Sequence, residues 1–348
     1  MADVELQING TAYTGWHEIE VVRSIDSMAG RFRLRLTKMD PHPVPRGAKC
    51  DLLLNGNKVI SGYVFNVAID ISGGAHTLMV TGRDRTADMV DADTLIEAQE
   101  VYGLTLREII ERVAAPFGIP VSFEVETGRP FKKFSFQQES AFEAIERACR
   151  MRGLLPSSDS EGNLVIRNYG TDRAPAGLFM GENVIQASAN YDDSDRFSTY
   201  YVYGQQPGTD EVDEEAAVGP QGSARDAGVT RYRPKIILAE VAVDAGLAQA
   251  RAEWEAAVRA AKATTFSCTV ADWDVDGAPW RENQLVRAYL PQLGVDGDML
   301  IKEVSYGLSN DDGTTTTLEL VRPDAFKMQP DLEAEELAKG QDDDEDEF

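Results

Sequence analysis

The stretch Ile60–Asp93, ISGYVFNVAIDISGGAHTLMVTGRDRTADMVDAD, constrains the fold more than any other part of the chain. Tyr63, Phe65, Val67 and Ile69 alternate with other residues, and so do Leu78 and Val80. A period of two marks strands with one buried face. Ser72-Gly73-Gly74, between the two runs, supplies the positive backbone angles of a hairpin turn. The second strand ends at Gly82, and residues 83–90 read as a short helix with Asp84 as its N-cap. Arg83, Asp84, Arg85 and Asp88 then stand at a strand end, where charges are ordinarily solvated.

The rest of the N-terminal third follows the same period. In Gly30–Leu36, Phe32, Leu34 and Leu36 alternate with Arg31, Arg33 and Arg35, so one face is core and the other is a row of cations. Two readings stand for that row: a dock for an acidic partner, or a solvated face with carboxylates opposite. Pro41, Pro43 and Pro45 place a stiff loop at Asp40–Gly47, and Asn55-Gly56 is a tight-hairpin signal. Residues 1–93 are expected to form one antiparallel β domain.

The pattern changes after Val101. Thr105-Leu-Arg-Glu108 is a capping box, followed by Leu106, Ile109, Ile110, Val113 and Phe117 at helical spacing. Gly118 and Pro120 end that helix. Ser140-Ala-Phe-Glu143 is a second box, opening a helix with Ile145, Ala148 and Cys149 on its apolar stripe. A hairpin around Ser157–Asn163 completes a small α/β domain at 94–176.

Strands return in residues 177–325. Within them, 204–228 combines Gly, Pro and Ala with Asp210, Glu211, Asp213, Glu214 and Glu215, the composition of a mobile loop. Asp244 is placed to cap a long helix at 245–262, with Leu247, Trp254, Val258 and Ala261 on one face. Thr265–Val270, Gln284–Tyr289, Met299–Tyr306 and Thr314–Val321 read as the last strands. Residues 326–348 form an acidic tail ending QDDDEDEF, which repels itself; it serves as a solubilising tail or touches a basic partner.

Chemistry is sparse. His17, His42 and His76 lie in separate contexts, and Cys50, Cys149 and Cys268 match neither zinc spacing nor a disulfide framework. Asp272, Asp274 and Asp276 alternate before Gly277, but Asn283 stands near where a calcium loop needs its Glu, so a turn is expected. No nucleophile elbow, phosphate-binding loop or dinucleotide fingerprint occurs. With 34 Lys and Arg against 59 Asp and Glu, the net charge of -25 opposes a nucleic-acid grip and suits a bore past which DNA slides. No apolar run approaches a bilayer span, and MADVELQING lacks the regions of a secretory signal, so synthesis in the cytoplasm without stable membrane insertion is expected.

The hairpin running into GRDRTADMVDAD resembles the baseplate hub proteins of Mu-like contractile-tailed phages, the tail hub or late control protein D-like family. GVTRYRPKIILAE (Gly228–Glu240) is similar to a second segment of that family, and the order of elements is similar over Thr11–Pro323. The resemblance implies a mainly β chain: two tail-tube-like antiparallel β-barrels plus a small α/β domain. It further implies a structural protein with no catalytic role and no cofactor. Three chains would form a ring whose six barrels match a sixfold tail tube above and a trimeric spike below. Its implied partners are two further copies, the tail tube protein, the central spike protein and other baseplate proteins, with DNA passing through unbound. Its place is the virion, after assembly in the host cytoplasm. Arg31, Arg33, Arg35, Arg83, Asp84, Arg85, Arg231, Tyr232 and Arg233 are the candidate subunit or partner interface. Other readings of the chain are a tail-associated cell-wall hydrolase, a β-domain adhesin, and the equivalent hub of a phage-tail-like injection machine.

Overall fold

Apolar alternation builds the N-terminal strands where the sequence places them. In the computed structural model, which describes residues 3–38, 44–72, 75–96, 99–203, 222–238 and 245–326, β1 (Val4–Ile8) and β2 (Thr11–Tyr13) make a first hairpin. β3 (Glu18–Ser24) and β4 (Ser27–Lys38) form a second, with Ile19, Val21, Phe32 and Leu34 buried on one face. β5 (Lys49–Leu54) turns through Asn55 and Gly56, at φ of 49° and 79°, into the 16-residue β6 (Asn57–Ser72). Positive φ at both turn residues matches the twist of the flanking strands. The first half of β6 pairs with β5, and its second half runs on beside β7 (Ala75–Asp84) alone. Ser72 pairs with Ala75 across the expected turn; Gly73 and Gly74, like residues 40–43 of the proline loop, lie outside the described residues.

One local expectation is corrected here. Asp84 does not cap a helix: it remains in β7, and α1 (Ala87–Asp91) begins after Thr86, whose side chain makes no cap hydrogen bond.

The next segment holds β8 (Glu100–Val101), α2 (Leu106–Ala114), β9 (Val121–Phe123), β10 (Phe134–Ser135), α3 (Ala141–Arg150), β11 (Leu155–Ser158) and β12 (Leu164–Arg167). β8 pairs with β10, and β11, β12 and β9 form a small sheet. Both capping boxes close reciprocally. The Thr105 hydroxyl accepts from the Glu108 N–H at 3.2 Å while the Glu108 carboxylate accepts from the Thr105 N–H at 2.7 Å. Ser140 and Glu143 repeat the exchange at 3.2 and 2.8 Å. Ile109, Ile110, Val113, Ile145, Ala148 and Cys149 bury one core, which also takes in Met28 of β4 and Met89 of α1.

The remaining elements are β13 (Asp172–Arg173), β14 (Leu178–Phe179), β15 (Val184–Tyr191), β16 (Thr199–Tyr203), β17 (Gly222–Arg225), β18 (Pro234–Leu238), α4 (Ala245–Lys262), β19 (Thr264–Ala271), β20 (Asp274–Val275), β21 (Ala278–Pro279), β22 (Gln284–Leu290), β23 (Val295–Ser309) and β24 (Gly313–Val321). Contacts divide the chain into two units. The first comprises Met1–Arg150, Leu154–Ala189 and Phe266–Val321, and the second Met151–Gly153, Asn190–Thr265 and Arg322–Phe348. In the second, β17, β16 and β18 form a sheet whose Val202 packs with Leu247, Ala248 and Ala252 of α4. β17 occupies part of the stretch expected as loop; it forms because its backbone pairs with β16 and Gly222 lets the α4 backbone come close, leaving a Cβ only 2.2 Å from Ala248. Residues 204–221, Asp244 and the acidic tail from 327 lie outside the described residues. The apolar stripe of α4 also differs from expectation: Trp254 is half-buried under Arg251, and Glu255 takes the buried position, held by Arg251 and Arg259.

The main sheet has 14 strands and runs β15-β19-β24-β23-β3-β4-β7-β6-β5-β1-β2, with β22 pairing along the first half of β23. Five strands in chain order, β3, β4, β5, β6 and β7, are laid side by side as β3-β4-β7-β6-β5. The later five, β15, β19, β22, β23 and β24, are laid as β15-β19-β24-β23-β22. The order is the same: first, second, fifth, fourth, third. Even the bulges correspond, one between Val64 and Asn66 in β6 and one between Ile301 and Glu303 in β23. The two expected barrels are thus two β modules of one sheet, whose strand order is open at β15 and β2 among the described residues.

Candidate assembly interface

The nine residues singled out from the sequence separate into groups with different surroundings. Asp84 is 0% exposed and therefore cannot meet a partner. Its Oδ2 accepts from the Gly30 N–H at 2.9 Å and the Ser158 hydroxyl at 2.8 Å, and ion-pairs with Arg23 at 3.3 Å. Arg23 in turn donates to the Val59 carbonyl, the Ser158 carbonyl and Glu282. This network ties β3, β6 and β7 to β11 and to the segment before β22. Burial pushes the Asp84 carboxyl up, against the opposing pull of Arg23 and the hydrogen bonds. Arg85 donates to the Gly162 carbonyl at 2.9 Å and to Asn163, clasping the β11–β12 turn. Arg83 makes a two-pronged ion pair with Asp91 at 2.8 and 2.9 Å. Asp84 and Arg85 are internal fasteners because their partners lie 54 to 78 residues away in sequence, beyond the reach of any local signal.

Arg31, Arg33 and Arg35 are exposed on the outer face of β4. Arg35 pairs with Glu18 at 2.8 Å and Arg33 with Glu20 at 4.0 Å, both carboxylates lying opposite on β3. The Arg35 hydrogen bond holds the Glu18 carboxyl below its usual range. Carboxylates do stand opposite two cations of the row. Arg31 sits in register with Arg83, and a groove there is lined by Glu20, Arg31, Arg33, Phe65 and Arg83. Phe65 corrects an expectation: the alternation of Tyr63, Phe65, Val67 and Ile69 puts it on a buried face, yet Phe65 is 44% and Ile69 58% exposed, while Val64 is buried and the strand bulges between Val64 and Asn66.

Arg231, Tyr232 and Arg233 belong to the second unit and lead into β18. Arg233 is anchored: its guanidinium donates to the carbonyls of Asp193 and Ser194 and stacks 4.8 Å from the Phe197 ring. Tyr232 is 93% exposed, and Arg231 is exposed beside it. β18 also presents Ile236 and Leu238 to solvent.

Among the described residues no group of His, Cys, Asp and Glu is arranged to hold a metal. Asp274–Pro279 forms the short β20–β21 hairpin, with Asp274 accepting from the Gly277 N–H at 3.0 Å. Cys50, Cys149 and Cys268 are free and buried, and burial pushes the Cys50 and Cys268 thiols up to about 12 and about 11. No helix among the described residues is long and apolar enough to cross a membrane.

Comparison with known proteins agrees with this architecture. Residues 3–84 match the family model of the Mu phage baseplate assembly protein GpP-like N-terminal domain. Residues 86–168 match the second domain of gp44-like baseplate hub proteins, and 244–329 the fourth domain of GpP. The chain is 33% identical over 336 residues to the baseplate hub protein gp44 of Escherichia phage Mu, covering 93% of this chain and 88% of that protein. The crystal structure of a 43 kDa tail protein of prophage MuSo2 from Shewanella oneidensis superposes with a TM-score of 0.83 at 30% identity, over 94% of this chain and 99% of that one. A tail protein from Neisseria meningitidis MC58 shares the fold at 22% identity, with a TM-score of 0.80 over 95% and 99% of the two chains.

Proposed function

The chain belongs to the baseplate hub proteins of Mu-like phages, and from that membership we propose that three copies form a ring adapting a sixfold tail tube to a trimeric spike. The family is one of structural proteins, and this chain acts by assembly rather than by catalysis. The observation that carries the reading is the repeated strand order: one chain holds two β modules of the same layout, so a closed ring of three presents six. A sixfold neighbour and a threefold neighbour can then both be met by one set of subunits. The ring surrounds the channel through which DNA leaves a contractile tail, and the acid-rich composition suits a bore that does not retain it.

The exposed part of the cation row, with Arg231 and Tyr232, supplies contacts to tube, spike or other baseplate proteins in this reading. Light scattering of the purified chain, with particle images, tests it directly. A ring of three times the 38.2 kDa chain mass is expected, and a species of one chain mass would refute it.

A further inference from the structure

The second unit has a charge unlike that of the chain it belongs to. Its described residues hold ten Arg and Lys against seven Asp and Glu, whereas the whole chain holds 34 against 59. The sheet β17-β16-β18 has two faces. On one, Val202 is buried against Leu247, Ala248 and Ala252 of α4, with Ile237 packed beside it. Residues in register share a face, so Tyr201 and Tyr203 stand on the other with Ile236 and Leu238 of β18 and with Ser223 and Arg225 of β17. Ile236 and Leu238 are 62% and 71% exposed there. None of the three strands contains Asp or Glu. Arg225 and Arg231, the latter just ahead of β18, are exposed and form no ion pair among the described residues. This face of the sheet is therefore apolar, flanked by cations, and free of carboxylates.

The chain carries a complement to it in the acidic tail, which lies outside the described residues. Residues 331–347 hold Asp or Glu at ten positions, Lys339 as their one cation, and Leu332 and Leu337 among the acids. The described chain runs to Phe326 in the same unit, where that ring lies 5.4 Å from Nζ of Lys262 on α4. Leu337 is eleven residues further on, a reach of about 36 Å when extended. A helix and a sheet together are about 20 Å thick, so the segment is long enough to pass from the α4 side to the opposite face. A tethered segment also acts at high effective concentration, so a few ion pairs and two leucines suffice to hold it.

We propose that residues 331–347 dock on the face of β17-β16-β18 opposite α4 in their own chain, with carboxylates at Arg225 and Arg231 and with Leu332 and Leu337 against Ile236 and Leu238. In the ring reading Arg231 meets a baseplate partner, which must then displace the tail. The docking itself does not depend on that reading.

The test uses the full chain. Ser223→Cys on the proposed face and Ala338→Cys in the tail are joined with a short bismaleimide, and Ala257→Cys, exposed on α4, replaces Ser223→Cys as the control position. The native thiols are buried and do not compete. A protease site placed after Pro330 shows whether the tail stays attached once it is cut, and circular dichroism confirms that each variant folds. The expected result is linkage to Ser223→Cys about tenfold faster than to Ala257→Cys, as a held segment exceeds a freely sweeping one. Before cutting, the linked species should have the mass of one chain. Arg225→Glu with Arg231→Glu should abolish the preference, as should 1 M salt, where charges are screened beyond about 3 Å. Equal rates at the two positions overturn the proposal, and so does a preference that survives the charge reversal. Links only between chains, seen as a doubled mass before cutting, assign the tail to a neighbouring copy and overturn docking within one chain.

Discussion

At the scale of the residue, ion pairs here act as fasteners wherever they are buried. Arg196 grips Asp226 through two hydrogen bonds, at 2.8 and 2.9 Å, in the second unit, and that bonding holds the Asp226 carboxyl below its usual range. A depressed folded-state pKa means that the pair contributes stability above the ordinary carboxylate range and loses it as pH falls through the lowered value. Amide exchange in β16 and β17 should therefore quicken at acid pH. Asp226→Asn should remove that pH dependence and cost about 2 kcal/mol at neutral pH, the scale of a hydrogen bond to a charged group. Protection unchanged in the variant would refute the assignment. The sequence shows that Arg83, Asp84 and Arg85 stand at a strand end, but not which of them turns inward. That choice depends on Arg23, Ser158 and Asn163, and no periodicity connects residues so far apart.

Elements differ in how much of themselves they declare. Both capping boxes and the Asn55-Gly56 turn are legible because each signal is complete within four residues and the backbone has only one way to answer it. The short helix after β7 starts later than Asp84 suggests, because a buried pairing outweighs a cap of about 1 kcal/mol. The long hairpin depends on a closeness that no alternation reveals. A Cβ on Gly62 would stand 1.8 Å from the Arg83 carbonyl oxygen, so β6 and β7 would have to part there. Gly62→Ala should destabilise the chain by about 3 kcal/mol, at the upper end of overpacking costs. A denaturation midpoint equal to that of the wild type would contradict this.

For the molecule as a whole, the duplication is visible in strand order and invisible in residue identity. A half-buried strand demands only apolar residues at alternate positions, so Ile69 and Tyr306 satisfy corresponding places without resembling each other. Alternation misleads at Ile69 for a related reason: it has the spacing of a core residue, yet among the described residues only β7 flanks its half of β6, and Ile69 is 58% exposed. Net charge operates at this scale too. At -25 the chain should leave duplex DNA unshifted in a gel at low salt, and a shift that fades as salt is added would contradict a non-adhesive bore. The buried guanidinium of Arg23 bears on how the protein is made. Its carboxylate partners lie 61 and 259 residues downstream, so a nascent chain cannot complete the bonding of that guanidinium until Glu282 has left the ribosome.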